Sequence, residues 1–302
     1  MMSDLYDAIR AQLQILAFKD LLPQAFVYDF FANAILASLL IGPVLGWLGT
    51  MVVVKRMAFF SQAVGNAALT GVAIGVLLGE SYTSPYVSMF AFCLLFGLVL
   101  KYTQFRTSLS NDVLIGVFLS ISLALGASLL LFVSAMINTH VLEAILFGSI
   151  LTVGDTDLNV VLVVCVLVLA TGLPLYNRML LATLNPSLAA ARGVPVRLLD
   201  YVFVVMITFV TVACVKVIGA ILVEALLLIP AAAARNISRS LGQFVLGSVL
   251  ISSASCLLGV YLPMAFQIPV PSGGAIILVA ACFFVATTAI RGLGGRYMEP
   301  AL

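Results

Sequence analysis

Charge is what this chain has least of. Only 9% of its residues are charged, against 63% that are hydrophobic, and its mean hydropathy is +1.24. A soluble domain carries about 25% charged residues, so the composition excludes an ordinary water-exposed globule. Histidine is scarcer still: His140 stands alone and cannot by itself build a His-rich metal site. The five cysteines, Cys93, Cys165, Cys214, Cys256 and Cys282, fall inside apolar runs without close pairing. They read as small packing residues rather than disulfides or metal ligands. No nucleotide-binding loop of the GxxxxGK[ST] type is present, so any ATP-driven work needs another polypeptide. Residues 1–25 carry charges throughout and lack a compact apolar core, so no cleavable signal peptide is evident.

What the chain does have is long apolar runs, several beyond the roughly 18 residues that mark a membrane-spanning helix. The expected fold is an all-α polytopic membrane protein with eight or nine transmembrane helices and broken or re-entrant segments. Residues 1–25 place Leu5, Ile9, Leu13 and Leu16 at helical spacing among charges, an amphipathic helix suited to the membrane surface. Residues 26–302 form a single membrane domain. Its spans are Phe30–Val54, the Gly- and Ala-dense Phe59–Gly79, Tyr86–Leu100 ending at Lys101, and Val113–Met136. After an irregular piece with a short re-entrant helix from His140 to Ile150 come Leu158–Tyr176, then Leu198–Ala234, Phe244–Leu262 and Gly274–Ile290. Leu198–Ala234 would measure about 55 Å as one helix against a hydrocarbon core of about 30 Å. It must break, and Lys216 with Gly219 marks the place; Pro230 should kink or break the helix again.

The basic residues support that break. With the N-terminus outside and nine crossings, Lys55, Arg56, Lys101, Arg106, Arg178, Arg192, Arg197, Arg235, Arg239, Arg291 and Arg296 share one side. The positive-inside rule makes that side cytoplasmic. A single crossing by Leu198–Ala234 would carry the last four arginines outside.

One polar island interrupts this apolar sequence, Asn185–Arg197, which reads NPSLAAARGVPVR. Asn185 or Ser187 can cap a helix, Pro186 suits its first turn, and Gly193 with Pro195 stops it. One or two exposed helical turns result. A loop between membrane helices needs polar residues in any case; a helix on which a soluble partner pushes is the sharper reading.

The second reading gains from a resemblance. Ala189-Ala190-Ala191-Arg192-Gly193-Val194-Pro195, then Lys216-Val217-Ile218-Gly219, then ALLLIPAAAAR over 225–235 look like an ARGV turn, a KxxG element and an ALLxxPAAxA segment in that order. Arg56-Met57-Ala58-Phe59-Phe60 and Leu146-Phe147-Gly148-Ser149-Ile150-Leu151 add to it. Across residues 30–290 the chain resembles the membrane permeases of metal-ion ABC importers. The resemblance implies a multi-pass subunit of the bacterial inner membrane that is not itself an enzyme. It implies a cytoplasmic ATP-binding cassette ATPase, an extracytoplasmic substrate-binding protein and a second permease copy or paralogue as partners, besides lipid and without nucleic acid. No covalently bound cofactor is expected; the cargo would be a divalent ion, zinc, manganese or iron. Leu188, Ala189, Ala190, Ala191, Arg192 and Gly193 would then be the ATPase-coupling segment.

The pathway residues depart from the family pattern. Where its members place an Asp and a His one helical turn apart in the second span, this chain has Gln62 and Asn66. Amides can ligate a metal through their carbonyl oxygens but offer little to zinc, and their plain use in a membrane helix is interhelical hydrogen bonding. Glu224, an acid within a spanning run, is costly there and marks a cavity or a partner. It either pairs with Lys216 eight residues earlier or supplies the charge that Gln62 and Asn66 lack. Asp155 and Asp157 with His140 and Glu143 read as a solvated outer loop, with a docking surface or a metal entrance as the alternatives, and Asp112 as a helix cap. The neutral amides leave a metal chelate or another small solute as an alternative cargo. A gradient-driven secondary carrier is a further alternative, disfavoured by the lack of an inverted repeat in the sequence.

Overall fold

The computed structural model describes residues 6–7, 10–12, 14–15, 28–80, 85–107, 109–134, 150, 153–266 and 270–293. The described residues between 6 and 15 are helical. Ten further helices follow: α1 Asp29–Val54, α2 Phe60–Leu77, α3 Tyr86–Arg106, α4 Asn111–Ser134, α5 Asp155–Leu184, α6 Pro186–Ala191, α7 Val196–Ile218, α8 Ala220–Ile237, α9 Leu241–Ala265 and α10 Ser272–Leu293. All but α6 are long and apolar enough to cross a membrane, nine candidate spans among the described residues. The expected all-α membrane architecture is therefore observed, at the upper of the two helix counts.

Three boundaries differ from the sequence reading. The third span does not end at Lys101; α3 runs on to Arg106, because Lys101 has an acid to neutralise it inside the helix bundle. Asp155 and Asp157 open α5 rather than lying in an irregular loop. Acids favour the positive end of a helix, and the Asp157 carboxylate accepts the Gly154 N–H at 3.2 Å. That helix then continues through Pro174 and Arg178 to Leu184. Pro230 lies within an uninterrupted α8, as proline does in membrane helices whose neighbours satisfy the freed carbonyl. The break at Gly219 is where the sequence placed it. Gly219 has φ +86° and ψ 155°, a conformation essentially restricted to glycine. His140, Glu143 and the expected re-entrant helix before Ile150 lie outside the described residues.

The chain forms two compact units. The first comprises residues 1–50, 148–165 and 225–302. Here small residues let helices approach closely. Ser248 donates its hydroxyl to the Gly46 carbonyl at 2.6 Å, joining α9 to α1. At Gly259 a Cβ would fall 2.4 Å from the Ile276 Cα, so only glycine permits the α9–α10 contact. Arg10 ties the N-terminal segment to the unit by hydrogen bonds to Asn33 and Asp155.

The second unit comprises residues 51–147 and 166–224, and α2 is its centre. Thirteen of its residues, mostly Gly, Ala and Val, are buried. One face meets α3, where Cys93 Sγ lies 3.7 Å from the Val64 carbonyl and Gly71 abuts Met89. Another meets α4, where Ser122 Oγ donates to the Ala63 carbonyl and Thr70 to the Ser122 carbonyl, each at 3.4 Å. A third meets the α7–α8 link: a Cβ on Gly65 would lie 3.1 Å from that of Ala220. Helix α3 closes the unit against α7 through Gly97 with Thr208 and Phe90 with Phe209.

Candidate functional site

Every candidate pathway and coupling residue lies in the second unit. Their relative placement follows from the contacts of α2. At about 100° per residue, Gln62 and Asn66 fall about 60° and 100° round the helix from Gly65. The α4-facing residues Thr70 and Ala63 fall about 140° and 160° round, and Val64 and Gly71, facing α3, on the far side. The two amides thus occupy the sector between the α7–α8 link and α4. Both side chains are half-buried, and neither is hydrogen-bonded among the described residues.

Glu224 lies one turn beyond Ala220 on the same face of α8, about 6 Å along the axis from the residue that meets Gly65. It is half-buried and forms no ion pair among the described residues. Lys216, on the other side of the Gly219 break, does not pair with it; its ammonium lies 4.2 Å from the centroid of the Tyr86 ring, at the head of α3. The break turns the chain between the two residues, so their eight-residue separation does not deliver the continuous-helix spacing that an ion pair required. No cluster of three or more His, Cys, Asp or Glu is present among the described residues. Of the expected outer acidic group, Asp155 is engaged by Arg10.

The coupling segment forms as its residue types demand. Asn185 caps α6, its side-chain oxygen accepting the Leu188 N–H at 3.0 Å, and Pro186 occupies the first turn. Gly193, at φ +70°, ends the helix, with the Val194 N–H returning to the Ala189 carbonyl at 3.0 Å. Leu188, Ala190, Ala191, Arg192 and Gly193 are exposed, and Ala189 alone of the six is buried.

Just beyond it lies a feature the sequence reading passed over. Asp200, in the second turn of α7, receives Lys55 at 2.6 Å on one carboxylate oxygen and Lys101 at 3.0 Å on the other. Both ammonium side chains are at most 7% exposed and the carboxylate 19%. The Lys55 and Lys101 ammoniums also lie over the rings of Phe203 and Phe105, at 5.2 and 4.7 Å from the centroids. Lys101 donates to Gln104 at 2.9 Å, and Gln104 in turn to Asn111 at the head of α4. The lysines entered the sequence argument only as orientation markers. The signal that points to Asp200 is an acid placed among them on the basic side.

Comparison with known proteins settles what the fold belongs to. Residues 27–291 match the model of the ABC 3 transport family. The chain belongs to that family. The manganese transport system membrane protein MntC of Listeria innocua is 30% identical to this permease over 86% of the chain and 90% of its own length. The high-affinity zinc uptake system membrane protein ZnuB of Haemophilus influenzae is 26% identical over 86% of the chain and 97% of its own. Among solved structures, PsaBC from Streptococcus pneumoniae in complex with Fab superposes with a TM-score of 0.74 at 29% identity, covering 86% of this chain and 91% of that one. The permease is thus a multi-pass membrane protein of the ABC importer type, which sets aside the gradient-driven carrier.

Proposed function

We propose that this permease admits a divalent metal ion to the cytoplasm, with Gln62, Asn66 and Glu224 lining its pathway and Lys216 at the pathway's outer end. The observation that carries this reading is the contact of Gly65 with Ala220. It sets the half-buried amides of α2 beside the link into α8, one turn from the only acid in that helix. Oxygen donors from two amides and one carboxylate suit manganese or iron better than zinc, which prefers thiolate and imidazole. Glu224 then supplies the charge that the amides lack. The relatives named for manganese and zinc transport support a metal cargo. ATP hydrolysis resides on a separate cytoplasmic ATPase that bears on Leu188–Gly193, an external binding protein delivers the ion, and a second permease copy or paralogue completes the pathway.

The test is elemental analysis of zinc, manganese and iron in cells carrying wild type, Glu224→Gln, or the double substitution Gln62→Asp/Asn66→His. Wild type should accumulate one of the metals. Glu224→Gln should lower its uptake on the order of tenfold, the worth of about 1.4 kcal/mol in one ligand interaction. The double substitution should shift the preference toward zinc. A wild type that moves no metal, with transport created only by the double substitution, would show that the cargo is a chelate or an organic solute.

A further inference from the structure

Helix α7, which follows the coupling segment, holds the entrance to α2 through one carboxylate, besides packing on α2 near Gly65. Residues 192–195 lead from α6 directly into α7, and Asp200 stands in the second turn of α7. Lys55, bound to it at 2.6 Å, follows the end of α1 and opens the five-residue turn that enters α2, the helix of Gln62 and Asn66. That turn is itself held stiffly. Arg56 sits at φ +53°, and the amides of Lys55, Arg56 and Met57 return to the carbonyls of Met51, Val53 and Val52. A displacement of α6 that is carried into α7 would therefore meet the entrance to α2 through Asp200 and Lys55. The second lysine of the pair leads elsewhere, from Lys101 through Gln104 to Asn111 on α4.

We propose that Asp200 is a positioning residue for transport: its ion pair with Lys55 transmits motion of the coupling segment to α2, whereas its pair with Lys101 only anchors α3. Neither residue touches the cargo. The Lys55 side chain is 7% exposed and the Asp200 side chain 19%, and the pair links residues 145 apart in the chain. Salt bridges between packed elements are among the interactions through which coupling between sites can run. The proposal rests on the reading of the chain as an ATPase-driven permease.

The experiment uses the purified complex of this chain with the ATPase that co-purifies with it, in nanodiscs and in a Cys282→Ser background, the other four cysteines being buried. Nitroxides on Leu78→Cys, past the end of α2, and on Ser187→Cys, an exposed position in the first turn of α6, report the distance between the two elements with and without ATP. Metal uptake per ATP hydrolysed is measured in parallel in proteoliposomes. Wild type should show a shift in distance on ATP. Asp200→Asn and Lys55→Met should reduce the shift and the uptake per ATP about fivefold or more, within the ordinary range of coupling between sites. Asp200→Glu and the exchange Lys55→Asp/Asp200→Lys should restore both. Lys101→Met should stay within about twofold of wild type.

Equal loss in Lys101→Met would make the carboxylate a general anchor and overturn the proposal, as would an undiminished shift in both Asp200→Asn and Lys55→Met. So would a wild type with no shift on ATP. If wild type shifts on ATP and the distances in the variants change as stated but no metal moves in any of them, the coupling role stands and the assigned cargo falls.

Discussion

Asn185 shows how one side chain sets the form of a short exposed helix. An isolated helix of six residues is far too short to persist in water, because nucleation costs more than so few hydrogen bonds return. The Asn185 side chain satisfies the Leu188 amide, and the Gly193 turn satisfies the other end. Asn185→Ala should therefore cost about 1 kcal/mol locally. Hydrogen exchange of the Leu188 amide in the nanodisc-embedded permease should accelerate about fivefold, the equivalent of that energy. Unchanged exchange would mean that the neighbouring helices, not the cap, hold the segment. Asp200 has larger consequences. Removing one partner of a buried ion pair leaves the other charge uncompensated, at a cost of about 3–5 kcal/mol, so its conservative variants are the informative ones.

Helices α7 and α8 owe their separation to a single backbone position. At φ +86° and ψ 155° a side chain meets its own backbone, and only glycine avoids the strain. Gly219→Ala should lower stability by about 1–3 kcal/mol. It should show as an earlier midpoint when the detergent-solubilised permease is titrated with SDS. An unshifted midpoint would mean that the link can take another conformation. The break also explains why Lys216 and Glu224 do not pair: a turn between two helices changes which way each face looks. Proline was the weaker guide, because α5 and α8 pass through Pro174 and Pro230 without ending.

With the N-terminus outside, as the basic residues require, the nine candidate spans among the described residues would place the ends of α1, α3, α5, α8 and α10 on the basic side. The Lys55–Asp200–Lys101 cluster agrees with this arrangement. It unites the end of α1, the last turns of α3 and the first turns of α7, which nine crossings put on the same side of the bilayer. In the Cys282→Ser background, Arg239→Cys should react with a membrane-impermeant maleimide only after permeabilisation. Phe266→Cys, just past α9, should react in intact cells. Labelling of Arg239→Cys in intact cells would overturn the topology.

The sequence by itself determined the class, the existence of the spans, the short capped helix after Asn185 and the break at Gly219. Each rests on a property that is local along the chain: a run of apolar residues, a capping residue, a glycine. The tertiary structure alone decided which sector of α2 carries Gln62 and Asn66, that Lys216 stacks on Tyr86, and that Lys55 and Asp200, 145 residues apart, form one ion pair. These depend on which helix packs against which. In a membrane chain nearly every helix is apolar all round, so its sequence carries little record of its neighbours. Packing of small residues and a few buried charges makes the choice, and both become visible only once the helices are assembled.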